Sequence, residues 1–358
     1  SCLVGSEMCI RDRDKAGSMA ATETRTDHYT VISADTHAGG SHAAYREYLS
    51  EEFRAEFDDW RGEYKNPYKD LGDNRRLRNW DNEMRNAAQL GDEGVVGEVV
   101  FPNTVPPFFP NFVLFAQPPR PDEYEHRLAG IRAHNRWLKD FCAEYPERRA
   151  GVGQIFLNDV DDAIEDVRWI HENGLKGGVL VGSVPPTCDW IKPLYHPDYD
   201  PVWAVCEELG VIVNAHSGTG GPVYQKAPAM PLVHFIEIGF YSQRPFVYLT
   251  LGGVFERFPN LKFVMTEMGT AWIPPMLEQL DAMMRNMRSN KVGEMRFEGE
   301  VVPPRSATEY FMQNCYVGAS QPTPDDVKAA LEVLGPDRFM WGSDYPHEEG
   351  THPYTVEH

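Results

Sequence analysis

The sequence predicts an α/β fold, a (β/α)8 TIM barrel cut short at its C-terminus. Three observations predict it. From Tyr29 onward short β-branched or apolar runs alternate with longer amphipathic stretches. The runs number eight, as a closed parallel barrel requires. No glycine-rich phosphate loop follows the first run, since Gly39-Gly40 lacks the rest of a GxGxxG pattern. The missing loop places an open doubly wound sheet second.

The strand candidates are residues 30–34, 94–101, 152–156, 177–181, 211–215, 262–266, 315–317 and 338–341. Helical patterns lie between them at 123–145, 160–173, 200–209, 232–255, 270–287 and 324–334. Asn158-Asp159 ahead of Asp161-Asp162 reads as a helix start, and Gly174 and Gly210 read as helix stops. Two insertions interrupt the alternation. Residues 45–91 are rich in charge and carry Trp60 and Trp80; residues 102–121 are proline-rich, with Phe108, Phe109, Phe112 and Phe115 interleaved. Both follow strands and are expected over the strand C-termini, as a pocket wall, a packed cap or a subunit interface.

Residues 1–18 show no periodicity and read as a non-native or disordered tail, with the natural start expected at Met19. Residues 19–358 then form one barrel domain that lacks most of its last helix, because little chain follows Asp344. The chain of 358 residues is 42% hydrophobic, a globular composition. Its 34 Lys+Arg against 54 Asp+Glu give a charge of −20, which repels nucleic acid and anionic lipid. No stretch approaches 18 consecutive apolar residues, and no basic-then-apolar leader is visible. The expectation is a cytoplasmic protein with a small-molecule substrate, no nucleic-acid or membrane partner, and a homodimeric or higher homo-oligomeric state. Six scattered cysteines, without any CxxC, read as reduced core thiols.

Ligand-type residues close four of the strand candidates. The first run leads into Asp35-Thr36-His37, whose side chains at i and i+2 of extended backbone project to one side. The fifth leads into His216, the sixth into Glu267 and the eighth into Ser343-Asp344. In a barrel these ends converge on one mouth, so Asp35, His37, His216, Glu267 and Asp344 can meet around a single cation. Two imidazoles with two carboxylates suit Zn²⁺, with Mn²⁺ or Fe²⁺ as alternatives.

With these residues in view, the chain resembles the amidohydrolase-2 group of the amidohydrolase superfamily. This branch includes aminocarboxymuconate-semialdehyde decarboxylase and gamma-resorcylate decarboxylase. The resemblance rests on Asp35-x-His37, Asn214-Ala215-His216-Ser217-Gly218, Glu267-Met268-Gly269-x-x-Trp272-Ile273-Pro274 and Trp341-Gly342-Ser343-Asp344-Tyr345-Pro346-His347. It implies a barrel of the metal-dependent hydrolase type and one divalent metal held by Asp35, His37, His216 and Asp344. Asp344, Glu267 and His347 are then the catalytic candidates, with His347 placed to orient Asp344 or touch substrate. Several relatives carry His where this chain has Glu267. Lys176 precedes the fourth strand rather than ending it, so a lysine-bridged second metal is not expected. The implied activity is nonoxidative decarboxylation of an aromatic or muconate-type acid. Metal-dependent hydrolysis of a small ester, amide or lactone is the alternative, and a non-catalytic metal-bearing binding protein is the third reading. An anionic Glu267 facing an anionic substrate calls for a cation, for which Arg244 is a candidate.

Overall fold

Each of the eight apolar runs forms a strand. The computed structural model describes residues 29–65, 80–111, 114–297 and 301–355. The expected tail at 1–18, the start at Met19, Cys2, Cys9, Phe112 and the final Glu357 and His358 lie outside the described residues. The strands are β1 (Val31–Ala38), β2 (Val95–Pro102), β3 (Arg149–Gln154), β4 (Gly178–Leu180), β5 (Val213–His216), β6 (Phe263–Thr266), β7 (Cys315–Ser320) and β8 (Phe339–Gly342). All neighbours pair in parallel in chain order.

The chain just after β8 closes the barrel on β1. Thr36 bridges Tyr345 in parallel, the His37 N–H donates to the Tyr345 carbonyl at 2.7 Å, and the Asp344 N–H donates to the Asp35 carbonyl at 2.9 Å. This closure joins the first and last ligand-bearing segments directly. Central strands such as β4 (GVL) and β5 (VNAH) are buried along their whole length. Burial on both faces is why β4 carries no polar residue.

The helices are α1 (His42–Tyr48), α2 (Glu51–Glu63), α3 (Asn82–Asn86, continuing as a π turn over Ala87–Asp92), α4 (Tyr124–Ala143), α5 (Val160–Glu172), α6 (Asp200–Leu209), α7 (Met230–Ser242), α8 (Arg244–Leu251), α9 (Val254–Arg257), α10 (Ile273–Arg288), α11 (Ala307–Asn314) and α12 (Pro324–Ala329, continuing as a π turn over Ala330–Leu334). Asp159 caps α5 by accepting from the Asp161 and Asp162 N–H groups, and Gly210 ends α6 in the left-handed region. The outer helices press Leu138, Ile170, Trp203, Phe246, Leu277 and Phe311 onto the barrel, whose own strands supply Val179, Val213, Met265 and Val317. Each fully buried side chain of this size contributes roughly 1.5–3 kcal/mol.

Several boundaries differ from the sequence expectation. β1 runs on to Ala38, so Asp35 and His37 lie inside the strand rather than beyond it. The insertion at 45–91 is helical where described, and α1 begins before it. In α2 Phe53, Phe57 and Trp60 recur at helical spacing within a dense run of charge. The expected helix 232–255 is three helices. Pro245 lacks the N–H that continuation needs, and Gly253 takes φ 70°. α11 was not expected, although Ser306 and Glu309 form a complete capping box. Cys142, Cys206 and Cys315 are buried and unpaired, and Cys188 is half-buried and unpaired, in keeping with reduced core thiols.

Candidate functional site

The structure brings Asp35, His37, His216 and Asp344 to one point at the barrel mouth, each side chain at most 1% exposed. β1 carries the first two on its inward face, β5 ends on His216, and the segment after β8 carries Asp344. Asp35 Oδ1 lies 3.4 Å from His37 Nε2 and 3.5 Å from His216 Nε2, and Asp344 Oδ1 lies 3.1 Å from His37 Nε2.

The imidazoles are oriented through their other nitrogens. His37 Nδ1–H donates to the Pro102 carbonyl at 3.3 Å and His216 Nδ1–H to the Ser217 carbonyl at 3.0 Å. Both therefore present Nε2 inward. Asp35 is held by the Ser320 hydroxyl, which donates to Oδ2 at 2.5 Å. At the centre, Asp35 Oδ1, His37 Nε2, His216 Nε2 and Asp344 Oδ2 are buried without a hydrogen-bond partner. Four orphaned donors and acceptors at one mouth carry a large desolvation cost unless something binds them. Asp35, His37 and His216 each offer an atom within 4.8 Å of the others, a spacing that fits one cation.

Charge reinforces that fit. Burial alone would depress the His216 imidazole, but Asp35 and then Glu267 outweigh it and push it up to about 9. The site thus draws positive charge to Nε2, where a proton and a divalent ion compete. Burial likewise opposes protonation of His347, and the hydrogen bond from its Nδ1 to Asp344 Oδ1, at 2.8 Å, overcomes it and raises His347 to about 9. Asp344 is held well below the usual carboxylate range by His347 and His37 in spite of its burial. His347 Nε2–H donates to Asn103 Oδ1 at 3.0 Å, so both ring N–H groups of the cation are satisfied. Asn103, just beyond β2, is a residue that sequence reasoning missed. Its one signal was a polar side chain directly after a strand end.

Glu267 follows β6 and reaches His216 Nδ1 at 3.4 Å. Burial, with Asp344 and Asp35 adding to it against the pull of His216, raises its carboxyl to about 8. The shift is set by its neighbours, and a cation bound beside it would draw the value down. Glu267 and Asp344 both adopt left-handed backbone, at φ 59° and 56°. Non-glycine residues take this conformation at a cost that surrounding structure must impose. A Cβ on Gly342 would stand 2.5 Å from Asp35 Cβ, so only glycine lets β8 approach β1 here.

Other expectations resolve more simply. Lys176 is exposed ahead of β4, at the opposite end of the barrel from the site. Arg244 donates to the Val184 carbonyl at 3.4 Å and to Tyr248, and stacks on Tyr248. Phe109 packs with Val105, Leu128 and Ile131, and Phe108 packs against Phe57 and Trp60, which makes this part of the loop a cap on α2 and α4. Phe101 instead lies against the rings of His216 at 4.8 Å and His37 at 6.1 Å. His134 is buried and meets the Tyr45 hydroxyl at 2.8 Å, away from the ligand cluster.

An amidohydrolase family model (Amidohydro_2) matches residues 83–358. The chain belongs to this family. It is similar to the gamma-resorcylate decarboxylase of Rhodococcus jostii (strain RHA1), 30% identical over 64% of this chain and 70% of that protein. Among solved structures it is similar to 5-carboxyvanillate decarboxylase from Novosphingobium aromaticivorans, determined with bound manganese, at TM-score 0.65 and 21% identity over 89% of this chain and 87% of the other. A manganese-bound dihydroxybenzoic acid decarboxylase from Polaromonas superposes at TM-score 0.61 and 17% identity, covering 92% and 89%.

Proposed function

We propose that this chain is a metal-dependent nonoxidative decarboxylase of an aromatic carboxylic acid, with Asp35, His37, His216 and Asp344 as ligands of one divalent ion. The observation that carries the metal is the orphaned ligand atoms of Asp35, His37 and His216 within 4.8 Å of one another, with the orphaned Oδ2 of Asp344 beside them. The decarboxylase relatives and neighbours support the reaction class. The two-carboxylate, two-imidazole set suits zinc, and the neighbours' manganese puts Mn²⁺ first for reconstitution.

Bound there, the ion supplies a Lewis-acid hold on the substrate carboxylate and a neighbouring oxygen. Phe101 would supply an apolar ring beside the ligand imidazoles. Asp344 and His347 act as a pair sharing one proton, which rests on His347. Asp344 relays that proton to the ring carbon bearing the carboxylate. The C–C electron pair then returns to the ring as CO₂ leaves, and His347 recovers a proton from solvent. Cytoplasmic location is kept as part of this proposal. Among the described residues no helix is long and apolar enough to cross a membrane. Self-association is supported by α7, which exposes Leu232, Phe235, Ile236 and Phe240.

The test is metal analysis of protein expressed with Mn²⁺ or Zn²⁺, followed by CO₂ release from hydroxybenzoates and muconate-type acids. Stoichiometric metal with CO₂ release supports the reading. Absence of metal sinks it, and metal with ester or lactone cleavage but no CO₂ replaces decarboxylation with hydrolysis.

A further inference from the structure

Three arginines, Arg85, Arg127 and Arg149, are buried. Arg85 and Arg149 share Glu98 through contacts of 2.7 to 3.1 Å. Arg127, on α4, is 4% exposed and has no such partner. Its nearest carboxylate, Glu123, is 3.6 Å away and about half exposed. Its Nη2 donates to the Gln117 carbonyl at 2.8 Å, its guanidinium lies 4.3 Å from the centre of the Phe109 ring, and its Nε–H has no acceptor.

That guanidinium lines a cavity of about 70 Å³ at the C-terminal ends of β3 and β4. A water needs roughly 10–15 Å³ on this measure, so the space admits a polyatomic ligand. Arg127 is the one charged residue among those lining it. Gln154, Ser183 and Gln117 also line it, and both amide atoms of Gln154, the Ser183 hydroxyl and Gln117 Oε1 are buried without partners. The remaining wall is apolar, including Phe156, Leu180 and Ile191. Thr219, on the rim, donates to the His216 carbonyl at 3.2 Å, which sets the cavity beside the candidate metal centre yet outside its ligands.

We propose that this cavity is a carboxylate-binding site: Arg127 Nε–H and the Gln154 amide donate to the carboxylate oxygens, and the apolar wall takes the attached hydrocarbon. A neutral amide or alcohol would leave the buried cation with only the half-exposed Glu123 carboxylate at 3.6 Å, whereas a carboxylate in the cavity pairs with it through charge-assisted hydrogen bonds. The carboxylate belongs either to a substrate also held at the metal centre or to a separate molecule. Only the first case rests on the decarboxylase reading.

The experiment is calorimetric titration of manganese-loaded wild type, Arg127→Met and Gln154→Leu with benzoate and with isophthalate, with melting temperatures alongside. Met keeps the apolar stack on Phe109, and Leu removes an amide that has no partner in the free protein, so both variants are expected to fold. If the site takes a distal substrate carboxylate, both variants lose about tenfold or more in isophthalate affinity while benzoate affinity holds. If it takes a separate molecule, wild type binds two equivalents of benzoate and each variant binds one. The proposal is overturned if both variants bind both ligands as wild type does, or if only melting temperatures move. Because the readout is binding, protein that releases no CO₂ still tests it.

Discussion

Two clusters of buried charge lie on either side of β1, and they are built on opposite rules. Beside the barrel wall, Arg85 and Arg149 close on Glu98, and Arg85 also donates to the His37 carbonyl at 2.7 Å. Opposite charges there lie at hydrogen-bond distance, with Arg149 Nη2 left without an acceptor. At the mouth, the unpartnered Asp35 Oδ1 lies 3.4 and 3.5 Å from His37 Nε2 and His216 Nε2, and Asp344 stands beside them with its Oδ2 unpartnered. The first cluster holds structure together. The second spends folding stability on a site that is complete only when a cation joins it.

The largest expected effect tests the mouth as chemistry. Asp344→Asn keeps the shape of the side chain but cannot relay a proton, so kcat for CO₂ release should fall about 10²–10⁴-fold. Metal content measured in the same samples separates a lost proton relay from a lost ligand. Next comes the closed cluster. Glu98→Ala strands two buried guanidinium groups and should cost about 3–5 kcal/mol in denaturant unfolding; a cost under 1 kcal/mol would dissolve the contrast drawn above.

A smaller effect concerns what holds Asp35. Ser320→Ala removes the donor to Oδ2 and should weaken metal binding about 10–100-fold, as read by competition with a chelator, with little change in the melting temperature of the metal-free protein. The mildest prediction is a pH dependence. Burial alone would raise the Glu98 carboxyl, but Arg85 and Arg149 outweigh it and hold it below its ordinary 4.5. Its folded value is therefore depressed, and its contribution is present above pH 4.5 and lost as pH falls further. The stability gap between wild type and Glu98→Gln should be constant from pH 7 down to about 5 and narrow below 4.5. A gap that widened on acidification would reverse the sign of this argument.

Much of this was legible in the chain itself. The eight strands could be read because each is a short β-branched or apolar run set between longer amphipathic stretches. Asp35, His37, His216 and Asp344 could be read because strand ends of a barrel converge, so four distant residues share one mouth by topology alone. The α5 cap at Asp159 and the α6 stop at Gly210 are local chemistry and needed no fold. Helix α2 was missed because fewer apolar residues sit in its dense charge, and the break at Pro245 was missed because the flanking residues are uniformly apolar.

Tertiary structure alone decided the rest. The pairing of His347 with Asn103 joins residues 244 apart in sequence, and no spacing rule connects the loop after β2 to the turn after β8. The upward shift of the Glu267 carboxyl follows from burial beside Asp344 and Asp35, neighbours that no sequence spacing brings together. Arg127 looks like any helix-surface cation until the cavity removes it from water and leaves it without a bidentate acid. Local sequence thus determined which elements form and which ligand types each strand end carries. Proton positions, orphaned donors and the emptiness beside Arg127 depend on dielectric and distance between remote segments, which exist only once the barrel has closed.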